Sequence, residues 1–293
     1  MSTISADFPY ESRFVEVHGS KIHYVEQGEG SPILFLHGSP ASSYVWRNII
    51  PHVSEQGRAI AMDLIGMGQS DKPDIDYRFV EHYQYVTGFI EALGLHNITL
   101  VVHDWGSALG FHYAVSHEDN VRGIAFMEAL LAPLPGMEAL DEEARELYAS
   151  FRTEDEGWEL IVDQNLYIES VLPGTVLREL THREMEVYRA PYVDPPSRKP
   201  LWRWPNETPI AGQPADVAKI VGHYNIKLRE SPLPKLLLHA TPGSSITPDK
   251  VEWVKENFPN LTDKHVGDGI LFIQEDEPEQ IGKALSEWLR EIE

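Results

Sequence analysis

One stretch decides the fold of this chain: Leu100-Val101-Val102-His103-Asp104-Trp105-Gly106-Ser107. A β-branched apolar run passes directly into a predicted helix through a turn that carries a small glycine two residues after Asp104. This pattern is typical of a nucleophile elbow, which raises one side chain above the carboxyl edge of a parallel sheet. The raised side chain is a carboxylate, so the favoured chemistry is displacement at an alkyl carbon, with an alkyl ester formed on the protein. The plainer interpretation is an aspartate that only caps the following helix.

The segments around this elbow alternate between short apolar strands and helices, which is typical of a parallel sheet flanked by helices. Before the middle of the chain we predict strands at 33–36, 58–62, 98–102 and 121–127 and helices at 80–93 and 106–116. An acidic, aromatic and helical segment follows, with helices expected at 142–151, 158–172 and 184–188 and an irregular proline-rich stretch at 195–209. Strand character returns at 235–239 and 270–273, before a closing helix from about Ile281. We therefore predict an α/β core at 1–131 and 213–293, interrupted by a helical cap at 132–212.

The composition excludes several classes of function. The 293 residues include 46 acidic and 24 basic side chains, a formal net charge of −22, which disfavours nucleic acids and anionic membranes as partners. There is no cysteine, so disulfides, thiolate metal sites and a cysteine nucleophile are excluded. The first 24 residues contain no apolar signal region, and no apolar run reaches the length of a membrane span. We predict a cytoplasmic protein, and the sequence leaves its oligomeric state open.

Several motifs together resemble the haloalkane dehalogenases of the α/β-hydrolase fold. They are the loop HG-x-P-x-SS-x-x-WRN at 37–48, the turn DLIGMG at 63–68, the elbow HDWG at 103–106, the strand GIAFME at 123–128 and the triplet QED at 274–276. The resemblance covers nearly the whole chain and is specific because the motifs occur together. It implies a mostly parallel central sheet flanked by helices with an inserted helical cap, and it implies small halogenated hydrocarbons as substrates with halide as a product.

The resemblance also implies a role for each matching residue. Asp104 would be the nucleophile, Trp105 would donate its indole N–H to the leaving halide, and the backbone N–H groups of Ser39 and Trp105 would form the oxyanion hole. Glu128 matches the acid that orients the catalytic histidine of the family. The cap residues that fall on the apolar pocket are Phe151, Tyr167, Trp204 and Pro205. No metal or organic cofactor is implied.

Two positions depart from the family pattern. The family has a histidine two residues after the glycine that precedes the QED triplet, whereas this chain has Leu271 there, in Gly269-Ile270-Leu271-Phe272. A leucine cannot accept a proton, so base-assisted hydrolysis of the ester is lost, an effect of roughly 10²- to 10⁴-fold. Ser39 replaces the usual asparagine, so the second halide donor is weaker. His265 would replace the base only with a shifted register, and we interpret His103, His37 and His239 as structural.

These observations predict a covalent trap for haloalkanes, a slow dehalogenase or a halide-exchange enzyme. The intact framework with one inactivated position is typical of an engineered variant of an active enzyme. An epoxide hydrolase, with proton donors among Tyr148, Tyr167, Tyr188 and Tyr192, is a first alternative, and a coelenterazine luciferase-like enzyme is a second. The third alternative is a binding protein that uses the same pocket without catalysis.

Overall fold

A twisted sheet lies at the centre of the structure, a computed structural model that describes residues 4–140 and 142–292. Its strands in the described residues are Arg13–Val17 (β1), Ser20–Gln27 (β2), Pro32–Leu36 (β3), Arg58–Met62 (β4), Ile98–Asp104 (β5), Val121–Ala129 (β6), Lys235–Pro242 (β7) and Leu261–Gly269 (β8). They lie in the order β1-β2-β4-β3-β5-β6-β7-β8, and β3 to β8 are parallel. The predicted α/β-hydrolase fold with a mostly parallel sheet is confirmed.

Helices flank this sheet because its central strands are apolar on both faces. Every residue of β5 and all but the first residue of β3 are buried, so neither face can contact water. The flanking helices are Ile50–Val53 (α1), Phe79–Ala92 (α2), Trp105–Ser116 (α3), Ala215–Glu230 (α9), Pro248–Asn257 (α10), Ile273–Asp276 (α11) and Pro278–Glu291 (α12). Helix α3 packs against α2 and α9, and α12 packs against α1.

The predicted cap segment forms a run of short helices between β6 and α9. These are Glu142–Phe151 (α4), Glu154–Trp158 (α5), Leu172–Gly174 (α6), His182–Arg189 (α7) and Lys199–Glu207 (α8), with π-helical turns at Glu159–Asp163 and Tyr167–Val171. Its two ends meet, because the Leu134 N–H donates to the Pro209 carbonyl and the Ala211 N–H donates to the Leu134 carbonyl. These bonds hold Leu134 beside Pro209 and Ala211, and the boundaries 132 and 212 stay a prediction.

Three expectations for local structure were wrong. The proline-rich stretch 195–209 is not irregular, since it contains α8, where Pro200 occupies the first turn and needs no N–H partner. The single helix expected at 158–172 is broken into π-helical turns and α6. The strand expected at 270–273 is a turn followed by α11, and the real strand, β8, lies immediately before it.

The sequence reasoning also missed the antiparallel hairpin of β1 and β2, which extends the sheet beyond β4. Within the part of the chain that the structure describes, no helix combines the length and apolar character needed to cross a bilayer.

Candidate active site

Asp104 occupies a strained junction at the carboxyl edge of the sheet. Strand β5 ends at Asp104 and α3 begins at the next residue, so no loop separates them. The junction requires a φ of 48° and a ψ of −127° at Asp104, a conformation that costs an L-residue free energy. Gly106 is needed because a Cβ there would lie 2.2 Å from the Leu36 carbonyl oxygen. The Asp104 side chain does not accept the N–H bond from the second or third residue of α3 that a capping side chain makes, so it is not an ordinary helix cap.

The carboxylate of Asp104 lies in a cradle of backbone donors. Its Oδ2 accepts the Ser39 N–H at 2.9 Å, and the Trp105 N–H also donates to the carboxylate. Gly38 permits this approach, because a Cβ at that position would lie 2.2 Å from Oδ2. Burial raises the pKa of Asp104 to about 6, against the two backbone hydrogen bonds, which lower it. The carboxylate is therefore ionised at neutral pH but poorly solvated.

Trp105 begins a stack of three rings that joins the core to the cap. Its indole stacks on that of Trp204 with the ring centroids 4.6 Å apart, and Trp204 stacks on His82 at 4.2 Å. Neither His82 nitrogen has a hydrogen-bond partner among the described residues, and burial lowers its pKa to about 3. The His82 ring is therefore neutral and packs as an aromatic side chain.

Glu128 is the second carboxylate at this edge, near the end of β6 with a φ of 42°. Its Oε2 accepts three backbone N–H bonds, from Ser244, Ser245 and Ile246, at 2.9, 2.6 and 3.2 Å. Its Oε1 is buried and has no partner among the described residues. Burial raises the pKa of Glu128 to about 7, although the three N–H bonds and Lys250 lower it. One oxygen of this carboxylate is thus fully bound, and the other is free to accept a hydrogen bond.

Leu271 lies in the turn between β8 and α11, with its side chain half-buried against the apolar core. Its carbonyl accepts the Nε2–H of His103 at 2.8 Å, and its N–H donates to the Thr175 carbonyl of the cap. Burial lowers the pKa of His103 to about 4, so this ring is neutral and serves as a structural donor. Hydrogen bonds to His103 of the core and to Thr175 of the cap therefore fix the backbone of this turn.

The residues after Leu271 enter a buried arginine–glutamate cluster, formed by Arg47, Arg178, Glu184, Glu275 and the hydroxyl of Tyr188. Arg47 reaches Glu275 at 2.6 Å and the cap residue Glu184 at 2.7 Å. Arg178, also in the cap, bonds both glutamates at 2.6 Å. Two cations and two anions balance here, and they join the cap to the turn that carries Leu271.

Of the remaining histidines, His265 and His37 have partners other than the two carboxylates. His265 is exposed on β8, where its Nε2 lies 3.0 Å from the Thr241 hydroxyl and its ring contacts His239. His37 is buried and uses both nitrogens, donating to the Gly38 carbonyl and accepting the Leu64 N–H. His265 is therefore far more exposed than the two carboxylates, and nothing in its contacts links it to them.

Of the four expected pocket residues, Trp204 stacks on Trp105, and the other three lie with it in the segment between β6 and α9. Phe151 and Trp204 are 1% and 0% exposed, Pro205 is buried, and Tyr167 stacks on Phe151 with the ring centroids 5.4 Å apart. Phe151 and Tyr167 therefore contact each other through their ring faces.

Sequence reasoning missed the loop 244–246 that binds Glu128, although the turn residues Gly243-Ser244-Ser245 directly after β7 are a usable signal. No group of three or more metal-binding side chains occurs among the residues described.

Comparison with known proteins shows which family this chain resembles. The family model described as the alpha/beta hydrolase fold matches residues 31–278. A haloalkane dehalogenase of Mesorhizobium japonicum is 46% identical over 281 residues, covering 95% of this chain and 91% of that protein. One from Sphingobium indicum is 45% identical and covers 96% of each.

Solved structures of haloalkane dehalogenases have the same fold as this chain. The haloalkane dehalogenase of Bradyrhizobium elkani superposes with a TM-score of 0.94 at 41% identity, covering 96% of this chain and 98% of that one. That of Agrobacterium tumefaciens gives 0.91 at 37% identity, covering 97% of each. The fold and these relatives show that the chain belongs to the haloalkane dehalogenase family, whose members are hydrolases that act on carbon–halide bonds.

Proposed function

We propose that Asp104 displaces halide from a small haloalkane. A carboxylate oxygen attacks the carbon that bears the halogen, the carbon–halogen bond breaks, and the halide leaves with the bonding electron pair toward the indole N–H of Trp105. The products are an alkyl ester on Asp104 and a halide ion, and no proton is transferred. The observation that carries the proposal is the strained elbow, which presents a buried, ionised carboxylate beside the Trp105 indole.

We infer that hydrolysis of this ester is impaired. Water must lose a proton as it attacks the ester carbonyl, and Leu271 has no atom that can accept it. The unpartnered Oε1 of Glu128 supports this inference, because a buried acceptor without a donor is what remains when a histidine that donates to it is replaced by leucine. The backbone N–H groups of Ser39 and Trp105 would still stabilise the oxyanion.

Three kinetic outcomes are compatible with this chemistry. The ester persists as a covalent trap, it hydrolyses slowly, or an external halide attacks it and reverses the first step. The buried, unpartnered hydroxyl oxygen of Ser39 supports a weaker second donor for halide than an amide would provide. An intact displacement apparatus with one lost base supports the interpretation as an engineered variant.

The first experiment is the intact mass of the protein after incubation with 1-bromohexane, measured together with bromide release. We expect one hexyl group per protein, about one bromide per protein, and no adduct in Asp104→Ala. Continuous bromide release without an adduct would mean that another group replaces the base. Neither adduct nor bromide, with reversible ligand binding and unchanged mass, would favour a binding protein.

The luciferase-like alternative requires light emission with coelenterazine. No feature of the site described above favours it over halide displacement, and a dark reaction mixture would eliminate it.

A further inference from the structure

The turn DLIGMG at 63–68 is a motif that halide displacement does not use. It follows β4, and its first residue, Asp63, is 1% exposed. Gly68 permits the position of this carboxylate, because a Cβ at Gly68 would lie 2.1 Å from Oδ2 of Asp63. Oδ1 accepts the Ser43 N–H at 2.7 Å, and Oδ2 accepts the Gln69 N–H at 2.8 Å. The turn therefore holds a buried carboxylate in a fixed position.

A further bond to this carboxylate comes from His23 on β2. The His23 ring is fully buried, and its Nδ1 lies 2.8 Å from Oδ2 of Asp63. Burial raises the pKa of Asp63, but the bond from His23 and the other donors around the carboxylate outweigh burial and lower it to about 2. The carboxylate is therefore ionised at neutral pH and accepts the Nδ1–H of His23. In the neutral ring this leaves Nε2 as a proton acceptor.

The hydroxyl of Ser12 lies against that acceptor. Oγ of Ser12 is 3.1 Å from Nε2 of His23, a distance at which the hydroxyl donates to the ring. Phe14 of β1 pairs with His23 of β2, and Ser12 precedes Phe14 by two residues, so the three side chains share one face of the hairpin. Ser12 is exposed, whereas His23 is buried. The serine is thus open to solvent and bonded to a buried base.

The contacts of His23 differ from those of two other buried histidines. His37 and His103 bond backbone groups, which is typical of histidines that only stabilise a fold. His23 instead joins two side chains, the carboxylate of Asp63 and the hydroxyl of Ser12. This order of groups activates a serine for acyl transfer, and it is recognised by geometry rather than by position in the sequence.

We propose that Ser12, His23 and Asp63 form a second nucleophilic site, which takes acyl groups from activated carboxylic esters. Oγ of Ser12 attacks the carbonyl carbon, its proton passes to Nε2 of His23, and Asp63 stabilises the imidazolium that forms. The bond from that carbon to the alcohol oxygen then breaks, and the alcohol leaves with the proton. The product is an acyl ester of Ser12, which water hydrolyses with His23 as the base. The site does not depend on Asp104.

The exposure of Ser12 sets the class of ester. An ester that arrives from solvent gains little binding energy, so its leaving group must depart readily, as a phenolate does. Phe14 is 49% exposed, and its ring centroid lies 5.2 Å from that of His23, so an aryl group has an apolar contact beside the base. We therefore expect aryl esters of short acids as substrates, rather than amides.

The test is the release of nitrophenolate from 4-nitrophenyl acetate, together with peptide mapping of the acetyl group by mass spectrometry. Ser12→Ala removes the nucleophile and changes only an exposed side chain. His23→Asn keeps an N–H donor near Asp63 and removes Nε2. Ser116→Ala, at another exposed serine, is the matched control, and Asp104→Ala shows whether the elbow releases nitrophenolate instead. Thermal melts report whether the variants are folded.

We expect the acetyl group on Ser12. Nitrophenolate release should be about 100-fold slower in Ser12→Ala and in folded His23→Asn, because a positioned base contributes at least about this factor. Ser116→Ala should stay within about twofold of the unchanged protein.

Ser12→Cys gives a second test that leaves the buried residues unchanged. The chain contains no cysteine, so this variant has a single thiol. A histidine paired with an ionised carboxylate favours the thiolate, so iodoacetamide should alkylate Ser12→Cys at least about tenfold faster than Ser116→Cys at pH 7.

Three results would overturn the inference. One is nitrophenolate release that is unchanged in Ser12→Ala, or acetyl groups on lysines and none on Ser12. Another is release that is lost in Asp104→Ala and kept in Ser12→Ala, which would assign it to the elbow. The third is equal alkylation of Ser12→Cys and Ser116→Cys, which would show that His23 does not activate position 12. None of these results bears on halide displacement, which is measured with 1-bromohexane.

Discussion

Asp104 and Glu128 lie at the ends of neighbouring parallel strands, and they differ in how completely the protein surrounds them with partners. Both have a positive φ, both are buried, and burial raises the pKa of both. Asp104 accepts the Ser39 N–H and directly precedes Trp105, and under the proposed function these are the groups that the displacement step needs. Glu128 is bound through Oε2 by three N–H groups, yet its Oε1 has no donor.

This difference teaches that the two steps of a two-step reaction can depend on separate parts of one site. The first step needs a positioned nucleophile and a donor for the leaving group, while the second needs a proton acceptor. Under the proposed function, Leu271 removes the proton acceptor of the second step and leaves the groups of the first step in place. The following experiments test this separation.

The largest effect is expected from Asp104→Ala. Removing the nucleophile should slow alkyl adduct formation by about 10⁴-fold or more, since residues that attack a substrate directly have effects of this size. The buried charge that is lost was poorly solvated, so the unfolding temperature should not fall. Intact mass and a thermal melt measure the two quantities, and an adduct that persists in the folded variant would contradict the assignment of Asp104.

Leu271→His would give Oε1 of Glu128 the hydrogen-bond donor that it lacks, and so would remove the difference between the two carboxylates. The new ring would donate one N–H to Oε1 of Glu128 and offer its other nitrogen to water, so ester hydrolysis should rise by about 10²- to 10⁴-fold. Steady-state bromide release measures this gain, and the adduct should disappear.

Two companion variants sharpen this test. Leu271→Phe changes the side chain without adding a proton acceptor, so it should leave the adduct long-lived. In the Leu271→His background, Glu128→Gln should lower turnover by about 10³-fold and slow adduct formation far less, because Glu128 belongs to the hydrolytic part of the site. Equal losses in both steps would mean that the two parts are not separable.

The pH dependence of adduct formation tests the buried state of Asp104. Only the ionised carboxylate attacks, and its pKa is raised to about 6, so the rate should be about tenfold lower at pH 5 than at pH 8. Stopped incubations followed by intact-mass measurement give this profile. A rate that is constant down to pH 5 would show that Asp104 is as well solvated as an ordinary surface aspartate.

The smallest effect is expected from Ser39→Asn. An amide N–H reaching the leaving halide would contribute about 1 kcal/mol, which is roughly a fivefold faster displacement. Ser39→Ala is the control, and it should change the rate by less than about threefold because the Ser39 hydroxyl has no partner. The comparison uses the rate of bromide release in the first turnover, and a slower Ser39→Asn would exclude a donor role at this position.

Local patterns were sufficient to predict the elbow and most of the sheet. Strand β4 was predicted to the residue, and β3, β5, β6 and β7 within a few residues, because their buried runs are apolar and bounded by turns. β8 was missed because it is the last strand of the sheet and carries the polar sequence LTDKHVGDG, whose side chains are mostly accessible. The strand predicted at 270–273 is wrong because the buried Phe272 and Ile273 lie in the turn and helix that follow β8.

The contacts of the site were harder to predict than its residues. Asp104, Trp105 and Glu128 follow from strand ends, but the bonds from 244–246 to Glu128 join parts of the chain more than 100 residues apart. Sequence reasoning cannot predict such bonds without the tertiary structure.

The arginine–glutamate cluster has a consequence for how molecules enter and leave. Swinging the cap away as a rigid lid would separate Arg178 from Glu275 and Arg47 from Glu184, and would leave buried charges unpaired at a cost of several kcal/mol. We therefore expect reagents and water to pass by rotation of side chains within a closed shell, on timescales of nanoseconds, rather than by domain opening. In that case the size of a reagent, more than its affinity, would set how fast the protein is labelled.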